Sequence, residues 1–266
     1  MEKLAESGEA AGARNRHLDY FLDYAYLAES WTFSPQSLER LDQLEIEHDN
    51  LRAALEWATE NQPAKALKLA ELLSGFWSTR DYQMESRYWC QRILSRTEGI
   101  SALENARARV FQTLGWIAFR QGDQQAGRDA SEAALFLAKK HNDSKTVARS
   151  LNGLAISSLY LGYYLAASKA AEESEAIARE MGYSAELALA LVDRAQIAFM
   201  LNRDLVAAKR YFEESVSLGQ AADLQYALGF SIHGLAVIAG ASGTLKRHGG
   251  GLKNPPTWAK RWATGR

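Results

Sequence analysis

The chain has 266 residues, of which 47% are hydrophobic and 24% charged, values typical of a soluble protein. Its net charge of −1 is uneven, because residues 243–266 carry six basic and no acidic side chains and leave 25 basic against 32 acidic ones in residues 1–242. This mildly acidic body lacks the electrostatic footprint of a nucleic-acid-binding surface, so we expect no direct nucleic-acid binding by it. Cys90 is the only cysteine, which excludes an intramolecular disulfide and a multi-cysteine zinc site.

The sequence favours a cytoplasmic location. The residues from Met1 to Glu9 are too charged for a signal peptide, and a single cysteine fits a reducing compartment. Two uncharged runs, 150–168 and 224–245, are long enough to be compared with a membrane span. Both contain polar and turn-forming residues and both match the repeat described below, so no membrane segment is predicted.

Four helices are predicted in the first hundred residues. Residues 1–11 are polar and predicted to be flexible, and an apolar stripe indicates a helix after them. Ser34-Pro35 is a helix start signal, with serine at the N-cap and proline at the first helical position, and Pro63 is a second one. The predicted helices span residues 14–31, 35–60, 63–79 and 82–96.

A helical hairpin repeats about every 40 residues between residues 101 and 242. The segments Leu114–Ala118, Leu154–Ser158 and Leu235–Ala239 align, and Arg194–Ala198 is a fainter copy. Such a period is typical of stacked helix pairs. It predicts helices to 121, 123–140, 144–161, 164–181, 184–201, 204–221 and 226–241, with turns at Gly, Asn and Asp residues. The predicted fold is all-α, a right-handed α-solenoid of antiparallel helix pairs.

The pattern stops after Gly243. Residues 243–266 contain Gly249-Gly250-Gly251 and Pro255-Pro256, show no helical periodicity and are predicted to be a disordered basic tail. The fourth unit therefore has no predicted second helix. Because helix-repeat arrays need a polar capping element, its apolar face is expected to fold back on the chain or to mediate self-association. Trp258 and Trp262 among basic residues could touch nucleic acid or anionic lipid, or the tail has no partner.

The spacing of Leu114-Gly115, Gly122-Asp123, Gly127 and Ala134 resembles the tetratricopeptide (TPR) consensus. The aromatic residue usual in that family is replaced by Ala118 and Ser158, and the period is about 40 rather than 34. The resemblance covers residues 101–242. It implies a groove, lined by the first helix of each pair, that binds a protein partner or a small inducer.

Residues 12–100 resemble a region of bacterial signal-transduction ATPases of the STAND (NB-ARC-like) group. The resemblance rests on the segments 16–22 and 44–57, which include Glu47-His48-Asp49-Asn50-Leu51-Arg52. In that family the region joins the ATPase and winged-helix modules to a TPR sensor arm, so residues 1–11 resemble the end of an upstream module. The chain has no phosphate-binding Gly-x-x-x-x-Gly-Lys-Ser/Thr loop. It is interpreted as the regulatory sensor arm of such a regulator, truncated or frame-shifted, with an ATPase module as a possible partner; the alternative is a stand-alone TPR adaptor.

No catalytic, cofactor-binding or metal-binding constellation stands out, and we expect no enzymatic activity. The cluster Glu45, Glu47, His48 and Asp49 could be read as metal ligands, but helical spacing spreads these side chains around the helix. We interpret it as a structural junction in which His48 and Asn50 bond to the backbone or to neighbouring helices. Cys90 is expected to be an inert buried thiol.

The TPR resemblance implies candidate groove residues in each unit. Arg109 and Arg149 correspond one repeat apart and could form a basic rung for a carboxylate or an acidic peptide end, or could be solvated surface arginines. Trp116 is either a ligand platform or a packing residue. The candidate binding residues are Arg109, Gln112, Trp116, Arg149, Asn152, Gln196 and His233, and the same positions include Ile156, Leu189, Val192, Phe230 and Val237.

Overall fold

The computed structural model describes residues 9–29, 37–221 and 224–241, and these ranges consist of helices joined by short turns. The chain divides into two compact units, residues 1–153 and 154–266, with the boundary inside one helix. A 3-10 turn spans Ser101–Leu103, and a π-helical turn spans Ala198–Asn202. The α-helices of the described ranges are α1 (Glu9–Glu29), α2 (Ser37–Ile46), α3 (His48–Asn61), α4 (Pro63–Thr79), α5 (Gln83–Arg96), α6 (Glu104–Arg120), α7 (Gln124–Lys140), α8 (Ser144–Tyr160), α9 (Tyr164–Met181), α10 (Ser184–Ile197), α11 (Leu205–Ala221) and α12 (Gln225–Ala241).

The predicted fold class is confirmed: the described chain is all-α, built of antiparallel helix pairs of the TPR-like α-solenoid class. Within the first unit α4 packs on α5 and on α6, and within the second unit α10 packs on α11 and on α12. Helix α12 is apolar, yet neither it nor any other described helix is both long and hydrophobic enough to cross a bilayer. The predicted flexible N-terminus, the Ser34-Pro35 start and the basic tail lie wholly or largely outside the described residues.

One hydrophobic core of the first unit extends from α1 to α6 and so continues across residue 100. Apolar residues at helical spacing on α1, α3, α4 and α5 are buried in it, and α6 contributes Val110, with Phe111 and Leu114 packed against it. The side chains that are fully buried here include Leu18, Leu51, Leu55, Leu67, Leu73, Phe76, Trp77 and Ile93. Residues 12–100 therefore share a core with α6, although the two differ in their sequence resemblance.

The single helix predicted from residue 35 to residue 60 is wrong, because the structure has α2 and α3 with a break at Glu47. The backbone of Glu47 leaves the helical region at φ −93° and ψ 11°. Neither glycine nor proline marks the break. The next residue, His48, is buried against the rings of Phe76 and Tyr82, with centroids 5.2 and 4.2 Å away. The break between α2 and α3 therefore coincides with tertiary packing of the His48 ring and not with a helix-terminating residue in the sequence.

The repeat begins one pair earlier than the sequence indicates. Leu73 to Trp77 on α4 stands 41 residues before Leu114 to Ala118 on α6, and Trp77 occupies the position of the usual family aromatic residue. Asp81 takes a left-handed conformation (φ 64°) where Gly122 does (φ 82°). The amide of Tyr82 donates to the carbonyl of Trp77 as that of Asp123 does to Ala118. The pair α4–α5 is thus a further unit of the same kind.

Glycines allow close packing inside the repeat. A Cβ on Gly115 of α6 would lie 2.8 Å from the hydroxyl of Ser131 on α7, and one on Gly153 of α8 would lie 2.5 Å from it. Ser131 itself is 2% exposed and donates to the carbonyl of Gly127. Both first helices therefore approach α7 at the same serine.

The predicted turns of the repeat are confirmed, with one irregularity. Gly122, Gly162, Gly182 and Asn142 adopt positive φ at the ends of their helices. In the second unit Arg203 takes this place (φ 51°), one residue later than the 40-residue period requires. The amide of Asp204 bonds to the carbonyl of Ala198, six residues back, where the other turns span five. The π-helical turn Ala198–Asn202 thus accommodates one extra residue, as π-bulges do.

Candidate binding face

The first helices of successive pairs meet in the first unit, and their polar side chains form a face that we call the first-helix face. Lys68 and Glu71 on α4 stand 41 residues before Arg109 and Gln112 on α6, so they are the same positions in neighbouring pairs. The residues that define the face are Lys68, Glu71, Arg109, Gln112, Trp116 and Asp143.

Opposite charges alternate along the first-helix face. Glu71 lies between Lys68, with 3.4 Å from Nζ to Oε2, and Arg109, with 3.6 Å from Nε to Oε1. Arg109 Nε also lies 3.8 Å from Oδ2 of Asp143, the residue that accepts a hydrogen bond from the amide of Thr146 at the start of α8. With its amide oriented to donate to Asp143 and to accept from Arg109, Asn105 bridges the two at 3.2 and 3.3 Å.

These contacts hold Arg109 loosely. Both of its carboxylate distances exceed those of direct charge-assisted hydrogen bonds, and about 31% of its side chain is exposed. Partly exposed ion pairs of this kind contribute about 0–1 kcal/mol.

The other predicted residues of the first unit differ in accessibility. Gln112 and Trp116 are half-buried, and the Trp116 ring stacks on Phe119 at 5.8 Å between centroids. Arg149 is exposed, whereas Asn152 is only 7% exposed. Arg109 and Arg149 therefore occupy corresponding positions in unlike environments. The basic rung that they were predicted to form stays a prediction.

The second unit holds Gln196, half-buried on α10, and His233, exposed on α12. The apolar residues at corresponding positions are used in packing. Val192 is 3% exposed in a core with Phe212 and Ile238, and Phe230 packs against that core. Leu189 packs against a neighbouring cluster that contains Leu224. Val237 is an exception among the apolar positions, because 39% of it is exposed.

A buried carboxyl group on α10 was not foreseen from the sequence. Asp193 is 7% exposed, and burial raises the pKa of its carboxyl well above its usual value. It stands 40 residues after Gly153, the position that packs closely against a second helix in the first unit. The side chain at this position of the repeat is therefore expected to be buried, as that of Asp193 is.

The acidic cluster forms the expected structural junction at His48, but Asn50 donates to the side chain of Glu47, three residues earlier, at 2.6 Å and not to the backbone or to a neighbouring helix. His48 Nε2 lies 2.9 Å from Oε1 of Glu85 on α5, while Arg52 donates to Oε2 of the same carboxylate from Nη2 at 2.5 Å. Burial alone would raise the pKa of Glu85, but the hydrogen bond from Arg52 and the charge of His48 together hold it below its usual value. Glu45 accepts a hydrogen bond from the hydroxyl of Tyr82.

Two further sequence expectations concern reactive groups. Cys90 is fully buried, and burial raises the pKa of its thiol to about 12, so it stays protonated at neutral pH. Within the ranges that the structure describes, no three His, Cys, Asp or Glu side chains come together in a way that could hold a metal ion.

The architecture and the polar first-helix face define a helical-repeat protein of the TPR-like class. No protein-family model matches the chain. Curated proteins of Mycobacterium tuberculosis and Mycobacterium bovis named "Putative HTH-type transcriptional regulator" are 31% identical to it over 168 residues. The match covers 60% of this chain and 19% of each relative, so the chain matches about a fifth of their length.

Solved structures share the fold at low sequence identity. RapI, in its apo form, has a TM-score of 0.67 and 13% identity, with 100% of this chain and 89% of that one covered. The signal transduction ATPase with numerous domains from Pyrococcus horikoshii, described as having a tetratricopeptide repeat sensor, has a TM-score of 0.56 and 18% identity. That match covers 83% of this chain and 33% of the other. At these identities the likeness shows the fold alone.

Proposed function

We propose that this chain is the regulatory sensor arm of a STAND-type signalling or transcriptional regulator and binds a protein partner or a small inducer. The observation that carries the proposal is the 31% identity, over 168 residues, to a part of much longer HTH-type regulators. The repeat fold and the Pyrococcus ATPase with its repeat sensor agree with it. The proposal includes no catalytic activity and no cofactor, and it assigns DNA binding to other parts of the regulator.

The first-helix face supplies the binding chemistry in this proposal. A carboxylate or an acidic peptide end displaces Glu71 or Asp143 from Arg109, since both are held at distances above 3.5 Å. The displaced carboxylates lie on α4 and at the start of α8, so binding changes how successive first helices are tied together. A ligand that prefers one arrangement shifts the population toward it, which is how a sensor transmits occupancy.

The test is affinity capture from native lysate with the whole chain as bait, followed by mass spectrometry. Arg109→Gln removes one of the two cations of the first-helix face, and Arg96→Gln is the matched control. Arg96 lies on a second helix and pairs with Glu60 at 2.7 Å, so both changes remove one positive charge from a paired arginine. Circular dichroism verifies that both variants fold.

We expect the wild type and Arg96→Gln to retain an ATPase or a DNA-binding regulator that Arg109→Gln loses. Capture of the same proteins by all three baits would contradict the role of the face. A partner that depends on Arg109 but belongs to neither class would favour the stand-alone adaptor. RapI supports that alternative, since 89% of its chain matches this one and the fold therefore occurs there at similar length.

A further inference from the structure

The outer side of α12, the last helix that the structure describes, presents a face that is covered in the earlier pairs. Leu235 to Ala239 on α12 corresponds to Leu114 to Ala118 on α6. On α6, Gly115 lies beneath α7. A Cβ at Gly115 would be 3.1 Å from the carbonyl oxygen of Gly127 and 2.8 Å from the hydroxyl of Ser131. The corresponding residue Ala236 is exposed on α12. Ile232, which corresponds to the partly buried Phe111, is 36% exposed.

A cleft adjoins this face. It has a volume of about 450 Å³, and the apolar side chains of Leu205, Val206 and Ile238 line it together with Lys209, Arg210 and Glu213. Val206 is 82% exposed, although it is a large aliphatic residue. Lys209 lies 3.6 Å from Glu213 in an exposed pair. The cleft between α11 and α12 thus combines an apolar floor with a cationic edge.

The corresponding position on α5 shows how a cation is used where the next first helix is covered by its second helix. Arg87 on α5 is the fourth residue after the helix start, as Lys209 is on α11. Arg87 donates to Oε1 of Gln121 at 2.9 Å and to Oδ2 of Asp123 at 2.6 Å. Asp123 is the N-cap of α7 and accepts a hydrogen bond from the amide of Ala126. In this pair the cation holds the acidic N-cap of the following second helix, whereas Arg128 at the corresponding position of α7 pairs with Glu132 on its own helix.

We propose that the α11–α12 cleft binds an amphipathic helix of a partner protein that has an acidic residue at its N-cap and small residues facing Ala236. The acidic N-cap pairs with Lys209, as Asp123 pairs with Arg87. Small residues face α12, as Gly127 and Ser131 face α6, but the helix lies further out than α7 does, because a Cβ at Gly115 would come within 2.8 Å of the Ser131 hydroxyl and Ala236 carries a Cβ. This inference is separate from the function assigned to the first-helix face.

Two other occupants fit less well. The sequence after Ala241 has three consecutive glycines and two consecutive prolines within the length of one second helix, and these are the poorest helix formers. A second copy in a two-fold contact would use the same patch on both molecules and bring two cationic edges together. An acidic partner helix meets neither obstacle.

The probe is an acetylated peptide of residues 121–140, the segment that covers the corresponding face in the first unit, with its binding to the whole chain measured by fluorescence anisotropy. Ala236→Trp fills the face at an exposed site and should abolish binding. Lys209→Glu should weaken it about threefold, the scale of an exposed ion pair. A peptide with Asp123→Lys should recover that loss with Lys209→Glu. Lys169→Glu, at an exposed lysine on α9, is the matched control.

Binding that survives Ala236→Trp, or no binding up to about 1 mM peptide, would overturn the proposal. It would also be overturned if the chain forms a dimer in ultracentrifugation and Ala236→Trp dissociates it, since the occupant would then be a second copy. Arg109→Gln should leave peptide binding unchanged, which distinguishes failure of this inference from failure of the first-helix face.

Discussion

Glu85 is the residue on which α3 and α5 are joined. Its carboxylate accepts from Arg52 and faces His48, and its side chain is 15% exposed. His48 is in turn enclosed by Phe76 and Tyr82. A partly buried charge costs free energy unless its partners are present, so removal of one member leaves the others uncompensated. The junction therefore depends on all of its polar members.

Glu85→Gln should destabilise the chain by about 1–3 kcal/mol at pH 7, since it removes a charge-assisted acceptor. The pKa of Glu85 is lower in the folded state than its ordinary value of 4.5. The stabilisation by its carboxylate is therefore complete above about pH 4.5 and is lost as the pH falls through the folded value. Urea unfolding between pH 3 and pH 7 measures this.

The control for this variant is Glu132→Gln, at a half-exposed carboxylate that pairs with Arg128 one turn away on the same helix. It should change the free energy of unfolding by less than about 0.5 kcal/mol. Equal losses in both variants, or a loss for Glu85→Gln that persists unchanged at pH 3, would contradict the role of the junction.

Asp193→Asn should stabilise the chain at pH 7 by about 1–3 kcal/mol, the scale of a poorly compensated buried polar group. Burial raises the pKa of Asp193, so the folded state retains a proton that the unfolded state has lost. Stability of the wild type then falls as the pH rises above 3.8, the ordinary value of this carboxyl. Thermal unfolding at pH 4 and pH 7 should show a gain only at the higher pH, and a gain at both would refute this account.

Among the elements, the end of α10, the first helix of the pair α10–α11, is irregular. The π-helical turn Ala198–Asn202 takes up one residue, after which α11 starts in the same relation to its turn as α7 and α9 do. The turn requires a residue in the left-handed conformation, and Arg203 occupies the place that Gly122 and Gly162 take in the two preceding pairs. The left-handed region costs an L-residue about 1–2 kcal/mol.

Arg203→Gly should therefore stabilise the chain by about 0.5–1 kcal/mol, the relieved strain less the added freedom of the unfolded chain. Gly122→Ala is the converse control, because open space surrounds a Cβ at that position and only the positive φ of 82° opposes it. It should destabilise by about 1 kcal/mol. Guanidinium unfolding measures both, and changes of the same sign would argue against strain at this turn.

At the scale of the whole molecule, stability depends on a hydrophobic core that extends across residue 100, where the sequence resemblance changes. Val110 on α6 is fully buried in the core that α1, α3, α4 and α5 form. The fragment 101–241 should consequently be less stable than the fragment 63–241, by about 2 kcal/mol or more for each large apolar side chain left uncovered. Chemical unfolding compares the two, and equal stability would show that residue 100 is a true boundary.

Helix starts and ends can be predicted from the sequence where proline, glycine, asparagine or aspartate occurs at them. Pro63 starts α4, and glycine, asparagine and aspartate end the repeat helices where predicted. The break at Glu47 was missed because the burial of His48 against residues 76 and 82, not a local residue type, accompanies it. The earlier repeat pair was missed because Ser74 and Gly75 stand in place of the Gly115-Trp116 signature.

The candidate face was predicted in part. Arg109, Gln112 and Trp116 follow from the repeat register, but Glu71 and Asp143 come from other helices. Which carboxylates approach an arginine depends on how helices are placed in space, and a single sequence does not contain that information. The same holds for Glu85, which lies 37 residues from its partner His48.

Ser131 imposes a joint limit on three helices. Gly115 and Gly153 both leave room for its hydroxyl. The same volume is therefore shared by Ser131, by Gly115 16 residues before it and by Gly153 22 residues after it. Adding a methyl group to either glycine consumes that volume, whereas Ser131→Ala releases some of it. The effect of one substitution thus depends on the amino acids at the other two positions. Because of this pairwise epistasis, the three positions should co-vary among related sequences. A larger residue at one position should occur with a smaller residue at another, so that the summed side-chain volume stays nearly constant.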